Sequence, residues 1–169
     1  MMSGASHQEV RKILRKFKKE EKMFKVLKIY NDSKIPSKAH KQDAGYDLYA
    51  YLKEPKTLIP GESALIGTGI KVSVPETYAM HIANRSGLAS KFQLFVGACI
   101  VDSGYSNEVF VNIHNFGKTD YTISPGDRIA QAMIYKLYSD QCLEVTNEEY
   151  TEHMSKYDRN EKGFGSSGK

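Results

Sequence analysis

From Met23 to Val145 the chain runs in short stretches rich in Val, Ile, Tyr and Leu that alternate with polar residues. Pro and Gly punctuate them at Pro36, Gly45, Pro55, Pro60-Gly61, Gly69, Pro75, Gly97, Gly104, Gly117 and Pro125-Gly126. Period-two alternation broken at this spacing predicts many short β-strands rather than helices. The expected strands are Phe24 to Tyr30, Asp47 to Ala50, Ser63 to Ile66, Ile70 to Val74, Ala79 to Ala83, Phe95 to Val101, Val109 to Asn115, Tyr121 to Ile123, Ile129 to Lys136 and Leu143 to Val145. In the clearest of them, Val109, Val111 and Ile113 alternate with Phe110, Asn112 and His114, the pattern of a strand buried on one face. Asn84 to Lys91 breaks the pattern and reads as one short helix or a tight loop. The arrangement predicts an all-β sandwich, jelly roll or compact barrel.

Two ends depart from this pattern. In residues 1–22, Val10, Ile13, Leu14 and Phe17 recur at i, i+3, i+4 and i+7, an apolar stripe opposite a Lys/Arg face if the segment is helical. This leader has the make-up of a targeting presequence, a lipid or nucleic-acid contact, a helix docking on a partner, or a solvated extension. Its partner is unknown. At the other end, residues 159–169 read by composition as a Gly/Ser tail. An Arg and a Phe among Gly amides and Ser hydroxyls also have the chemistry of a lid over an anionic, aromatic ligand. Asn147 to Glu152, with Glu148, Glu149 and Glu152, reads as an acidic linker between core and tail. The domains expected are thus a leader (1–22), a β-rich core (23–158) and a lid (159–169).

Charge and composition narrow the function. The 169 residues carry a formal net charge of +4, yet seven Lys/Arg and three Glu in the leader account for all of it. A balanced core argues against a whole-domain nucleic-acid-binding surface. No apolar run approaches the roughly 18 to 20 residues of a membrane span. With two separated cysteines, Cys99 and Cys142, neither a disulfide framework nor a Cys-based zinc site is expected. An intracellular setting, cytoplasmic or nuclear, with organelle targeting as a role for the leader, is the expectation.

Four segments interrupt the strands with small residues and fixed polar groups: Asp43-Ala-Gly-Tyr-Asp-Leu-Tyr-Ala50, Arg85-Ser-Gly-Leu-Ala-Ser-Lys91, Gly97-Ala-Cys-Ile-Val-Asp-Ser-Gly-Tyr105 and Gly126-Asp-Arg-Ile-Ala-Gln131. Alone, each is an adequate turn or loop. Together, in this order and with the tail as a fifth, they closely resemble the five motifs of the trimeric deoxyuridine triphosphatase (dUTPase) family, over roughly residues 24 to 168. The resemblance implies an all-β, distorted jelly-roll-like subunit with one short helix, assembled as a homotrimer with shared active sites. It implies a Mg²⁺-dependent enzyme converting dUTP to dUMP and pyrophosphate, which limits uracil incorporation into DNA and supplies dUMP.

Residue roles follow from the matching positions. Asp102 matches the aspartate that activates water for attack on the α-phosphorus, the work of a general base. Tyr105 matches the tyrosine beneath the deoxyribose that leaves no room for a 2′-hydroxyl. The hairpin from Gly97 to Val109 would read the uracil edge through backbone groups. Arg85, Ser86 and Gly87 match the triphosphate-binding motif, where charge-assisted donors meet a polyanion. Gln131 matches a glutamine near the phosphates. Asp47 matches an aspartate that organises hydrated Mg²⁺, with no cage of direct protein ligands. In the tail, Arg159 would clamp phosphate, Phe164 would stack on uracil, and Gly165, Ser166 and Ser167 would bind the terminal phosphate.

The sequence departs from the family pattern at Cys99, Ser106-Asn107, Asn160 and Ser167. At Asn107 the left-handed conformation that glycine favours remains accessible. Two other readings stay open. dCTP deaminase shares the subunit fold, and a catalytically silent binding module would make the leader the functional part. His81 and His114 are expected to be packed or solvent-facing rather than to act, and the strand tyrosines to pack.

Overall fold

The computed structural model describes residue 9 and residues 24–138 and 141–157. The leader otherwise, and the proposed lid with Arg159, Phe164, Gly165, Ser166 and Ser167, lie outside the described residues. The chain divides after Leu137 into two compact units.

The first unit is a sandwich of antiparallel strands. One sheet has the order β1 (Lys25–Lys28), β4 (Ser63–Ser73), β8 (Glu108–Asn115), β6 (Leu94–Gly97). The second has the order β2 (Tyr46–Tyr49), β10 (Arg128–Lys136), β5 (Tyr78–Ala83), β7 (Ile100–Val101), and a two-stranded sheet pairs β3 (Lys56–Leu58) with β9 (Tyr121–Ile123). Alternation builds these layers: in β8, Val109, Val111, Ile113 and Asn115 are buried while the residues between them are not. Ile66, Val111 and Ile113 from the first sheet, Leu48, Met80, Ile82 and Ala132 from the second, and Leu58 and Ile123 from the third join in one apolar core. The fold is therefore all-β and jelly-roll-like, as the strand pattern predicts.

The strand expectations need correction in several places. Ser63 to Ile66 and Ile70 to Val74 are not two strands but halves of β4, which pairs with β8 up to Gly67↔Phe110 and resumes at Lys71↔Glu108. At the irregularity, Gly69 has φ +68°, its N–H donates to Glu108 Oε1 at 2.7 Å, and its carbonyl accepts from Ile29 N. Conversely, Phe95 to Val101 is not one strand but contributes to two, β6 and β7, in different sheets. Lys56–Leu58 forms a strand although its three residues carry almost no pattern of their own.

Gly69 is fixed twice over, because a Cβ there would overlap Ser33 Oγ and come within 2.9 Å of the Tyr51 ring. Gly69→Ala is expected to destabilise the fold by about 2 kcal/mol or more, the left-handed backbone alone accounting for roughly half. A urea unfolding midpoint equal to that of the wild type would contradict this.

In the second unit, Thr146 caps a helix, α2 (Asn147–Met154): its hydroxyl accepts from Glu149 N at 3.2 Å, and Glu149 Oε2 accepts from Thr146 N at 2.8 Å. This reciprocal capping box satisfies two donors at the helix start. The acidic stretch expected as a linker is thus helical, and the described residues hold two short helices rather than one. Leu143 to Val145, expected as a strand, is not one. No helix among the described residues is long and apolar enough to cross a membrane.

Candidate active site

Asp47 lies near the middle of β2, directly across from Gln131 of β10. Its carboxylate takes two guanidinium groups, Arg85 Nε on Oδ1 at 3.0 Å and Arg128 Nη1 on Oδ2 at 3.2 Å. Arg85 Nη1 also donates to the Arg128 carbonyl at 2.9 Å. Two cations on one carboxylate hold the Arg85 plane in place. Arg128 reaches it because the β2–β10 ladder slips between Arg128 and Ala130. In an unbroken strand Arg128 would share the face of the buried Ala130 and Ala132; the slip turns it to the face of Asp47 and Gln131.

β5 ends at Ala83, and Ser86 begins the helix α1 (Ser86–Phe92), with Arg85 in extended conformation as the cap residue. Ser86 and Gly87 are exposed, and their N–H groups have no acceptor among the described residues. A Cβ on Gly87 would meet nothing within 4 Å, leaving an open face before these amides. Behind Arg85, a cavity of about 200 Å³ is lined by Tyr121, Asp127, Arg128 and apolar core residues. Burial first, and the Asp127 charge second, raise the Tyr121 phenol above its ordinary value, with Arg85 opposing. Tyr121 is accordingly a neutral wall of this cavity at physiological pH.

The second grouping is the hairpin that leaves β6. Ala98, at φ +50°, turns the chain from the first sheet into the second, where the Cys99 carbonyl accepts from Ile82 N. Asp102 is exposed at the end of β7, and its carbonyl accepts from Tyr105 N at 3.1 Å. The Tyr105 hydroxyl donates to the Glu108 carbonyl at 2.6 Å, which pins the ring against the hairpin. Gly97 is close-packed, since a Cβ would stand 2.9 Å from His114 Nε2. Asn107 does not take the left-handed conformation; its side-chain oxygen accepts from Glu108 N at 2.8 Å instead. Cys99 is half-buried, and its Sγ donates to the Val96 carbonyl. His81 and His114 do pack, on Tyr135 and Phe116.

Within one chain, then, Asp47, Arg85 and Gln131 come together with Ser86 and Gly87 beside them. Asp102, Tyr105 and Gly97 form a separate group, and no hydrogen bond or ion pair among the described residues joins it to the Arg85 corner. Sequence reasoning missed Arg128 as the second partner of Asp47, although it sits inside the Gly126 to Gln131 segment. It also missed Asn84. The Asn84 carbonyl accepts from Gln131 Nε2 at 2.8 Å, and its Oδ1 accepts from Val96 N at 2.7 Å. A polar residue closing a strand just before an Arg-Ser-Gly turn was the available signal.

A guanidinium-lined corner with free amides, on an all-β subunit whose hairpin offers backbone polar groups, defines a site for an anionic ligand. A family model described as dUTPase matches residues 31–168, and the chain belongs to that family. A deoxyuridine 5′-triphosphate nucleotidohydrolase of Orientia tsutsugamushi is 38% identical over 149 residues, covering 85% of this chain and 97% of that protein. The fowlpox virus protein of the same name is 40% identical over 146 residues, covering 85% and 95%. Among solved structures, a mutant dUTPase of Staphylococcus bacteriophage 80alpha with dUpNHpp superposes with a TM-score of 0.76 at 30% identity, over 87% of this chain and 99% of that one. A mutant dUTPase from phage phi11 of S. aureus, described with a structural Mg(II) ion, superposes with a TM-score of 0.67 at 28% identity, over 73% and 96%.

Proposed function

We infer that this chain hydrolyses dUTP to dUMP and pyrophosphate. The observation that carries the inference is that the family match spans the Asp47–Arg85–Arg128–Gln131 corner and the Asp102–Tyr105 hairpin alike. In the proposed reaction the Asp102 carboxylate takes a proton from water while the water oxygen attacks the α-phosphorus. The bond from that phosphorus to the α,β-bridging oxygen breaks, and pyrophosphate leaves. A positioned base of this kind contributes about 10² to 10⁴ in rate. Arg85, with the Ser86 and Gly87 amides, binds triphosphate oxygens, and Gln131 stands beside them. Tyr105 lies under the deoxyribose, its ring held by the Glu108 carbonyl. In the lid, Arg159, Gly165, Ser166 and Ser167 take phosphate and Phe164 covers the base.

Mg²⁺ is proposed as the cofactor. The donor set fits an ion carried by the substrate: both Asp47 oxygens already accept from guanidinium groups, and no cluster of three or more His, Cys, Asp or Glu converges among the described residues. Triphosphate oxygens and water would hold the ion, which would offset charge on the leaving pyrophosphate, while Asp47 organises the surrounding network. A homotrimer is proposed because one chain leaves the Asp102 hairpin unjoined to the phosphate corner. The exposed Leu65, Phe95, Phe110 and Phe116 on the outer face of the first sheet support burial against further copies.

The test is pyrophosphate release from dUTP, dCTP, dTTP and UTP with Mg²⁺, alongside ammonia release from dCTP. Cleavage of dUTP at least about a hundredfold faster than of UTP is expected, a discrimination that follows from a ring leaving no space for a 2′-hydroxyl. Ammonia from dCTP would move the chain to the deaminase branch, and silence on all four nucleotides would leave the leader as the functional part.

A further inference from the structure

Asp102 and Tyr105 belong to one hairpin, so in a trimer with shared sites they enter the same site whichever chain supplies the phosphate corner. What fixes the hairpin within its own chain can therefore be followed without the other copies. Its outgoing end is Glu108, the first residue of β8, and the Tyr105 hydroxyl donates to the Glu108 carbonyl at 2.6 Å. Ser106 and Asn107 between them are exposed, and Asn107 Oδ1 accepts from Glu108 N, which ties the turn to the same residue again. The ring assigned to the sugar thus takes its position from the main chain of Glu108.

Glu108 is in turn anchored by its own side chain. Its Oε1 accepts from the buried Gly69 N–H at 2.7 Å, across the break in the β4–β8 ladder between Gly67 and Lys71. Glycine at position 67 leaves room for that reach, since a Cβ there would stand 2.7 Å from Glu108 Oε1. The anchor point is itself held firmly. The Gly67 carbonyl accepts from Tyr51 N at 2.7 Å, the Gly69 carbonyl accepts from Ile29 N at 2.8 Å, and the Thr68 hydroxyl donates to the Val109 carbonyl at 2.6 Å. Glu108 forms no ion pair among the described residues, so its half-buried carboxylate serves the Gly69 amide rather than a cation, in a charge-assisted bond.

We propose that Glu108 is a positioning residue for sugar discrimination, holding the Tyr105 ring beneath the deoxyribose by tying the β8 end of the hairpin to the β4 irregularity at Gly69. The proposal rests on the dUTPase reading above. Without the carboxylate the Gly69 N–H loses its acceptor, the first residue of β8 is released, and the carbonyl that holds the Tyr105 hydroxyl moves with it. The ring then yields to a 2′-hydroxyl. Asp102 is placed independently, because it follows β7, which β5 pairs at Met80 and His81. The loss therefore falls on selectivity between sugars and not on the base.

The experiment applies steady-state kinetics on dUTP and UTP, and amide hydrogen exchange on the nucleotide-free protein, to wild type and variants. Glu108→Ala is expected to lower the dUTP-to-UTP ratio of kcat/KM about tenfold, with kcat for dUTP within about threefold. Exchange is expected to quicken at Gly69 and at Tyr105, whose N–H donates to the Asp102 carbonyl. Glu108→Gln keeps an oxygen acceptor for the Gly69 N–H and is expected to retain the ratio; its lost charge acts equally on two nucleotides with the same triphosphate. Tyr105→Phe removes the hydroxyl that the Glu108 carbonyl holds and is expected to lower the ratio as well. In the double variant of Glu108→Ala with Tyr105→Phe the two losses are expected not to add, since both release the same ring. A merely structural role would lower the active fraction, and with it the rates on both nucleotides, leaving the ratio unmoved. If Glu108→Ala yields no folded protein, Glu108→Asp, one methylene shorter, carries the same expectations. An unchanged ratio in the Ala or Asp variant, or losses that add in full in the double variant, overturns the proposal. A wild type that does not cleave dUTP would count against the dUTPase reading instead, and exchange that quickens at Gly69 but not at Tyr105 would still overturn the tie between Glu108 and the hairpin.

Discussion

Replacing Asp102 by Asn is expected to lower kcat for dUTP by about 10³-fold while dUTP affinity changes little. The amide keeps the size and hydrogen-bonding reach of the carboxylate but cannot take a proton from water at neutral pH. The substitution is also mild for the fold. Asp102 is exposed, its carboxylate has no partner among the described residues, and its structural contribution is the main-chain carbonyl that accepts from Tyr105 N. Hairpin geometry, and with it the placement of Tyr105, therefore survives the change. Single-turnover kinetics on dUTP, with calorimetric binding of dUpNHpp to both proteins, would separate chemistry from affinity. Turnover close to wild type would remove Asp102 from the role of base.

Arg85→Ala is expected to act on binding as well, lowering kcat/KM by about 10²-fold or more. One contribution is a lost charge-assisted bond to phosphate, worth about 1.5 to 3 kcal/mol. The other comes from Asp47. With Arg85 gone, Arg128 alone faces its carboxylate, through the more exposed of the two ion pairs, with 48% of the Arg128 side chain accessible against 26% for Arg85. An under-compensated anion then confronts the triphosphate. Arg85→Lys is expected to recover little, because an ammonium cannot serve Asp47 Oδ1 and the Arg128 carbonyl at once as the guanidinium does. An Ala variant with wild-type KM for dUTP would show that the phosphates sit elsewhere.

How far the sequence carried can be judged from single elements. β8 was legible because Val109, Val111 and Ile113 face a core and nothing interrupts the alternation. β4 was not, since Gly67-Thr68-Gly69 looks like a turn until the Glu108 carboxylate, thirty-nine residues further on, is seen to bond the Gly69 N–H. β3 owes its existence to β9, with which Lys56, Thr57 and Leu58 pair at Ile123, Thr122 and Tyr121. Such nonlocal partners leave no trace in a local window. The helix α2 is a different case: Thr146-x-x-Glu149 is a local capping signal, overlooked because the acidic composition around it suggested a linker.

At the site, motif order identified Asp47, Arg85 and Gln131, which the fold does bring together. It could not foresee Arg128 turning toward Asp47, because that depends on a ladder slip rather than on residue type. Nor does any pattern in the chain announce that Asn84 reaches the edge of β6 in the opposite sheet.

The pairing of β2 with β10 also fixes when the molecule can fold as it is made. β2 lies at the edge of its sheet, and the strand beside it, β10, begins roughly 80 residues later, which at ordinary elongation rates leaves on the order of 4 to 16 s between the synthesis of the two. Through that interval β2 has no strand beside it in its own sheet. The half of the sandwich that bears Asp47 thus waits on nearly the last strand to leave the ribosome. A nascent chain halted before Arg128 would present the unpaired edge of β2 to chaperones and to other copies of itself.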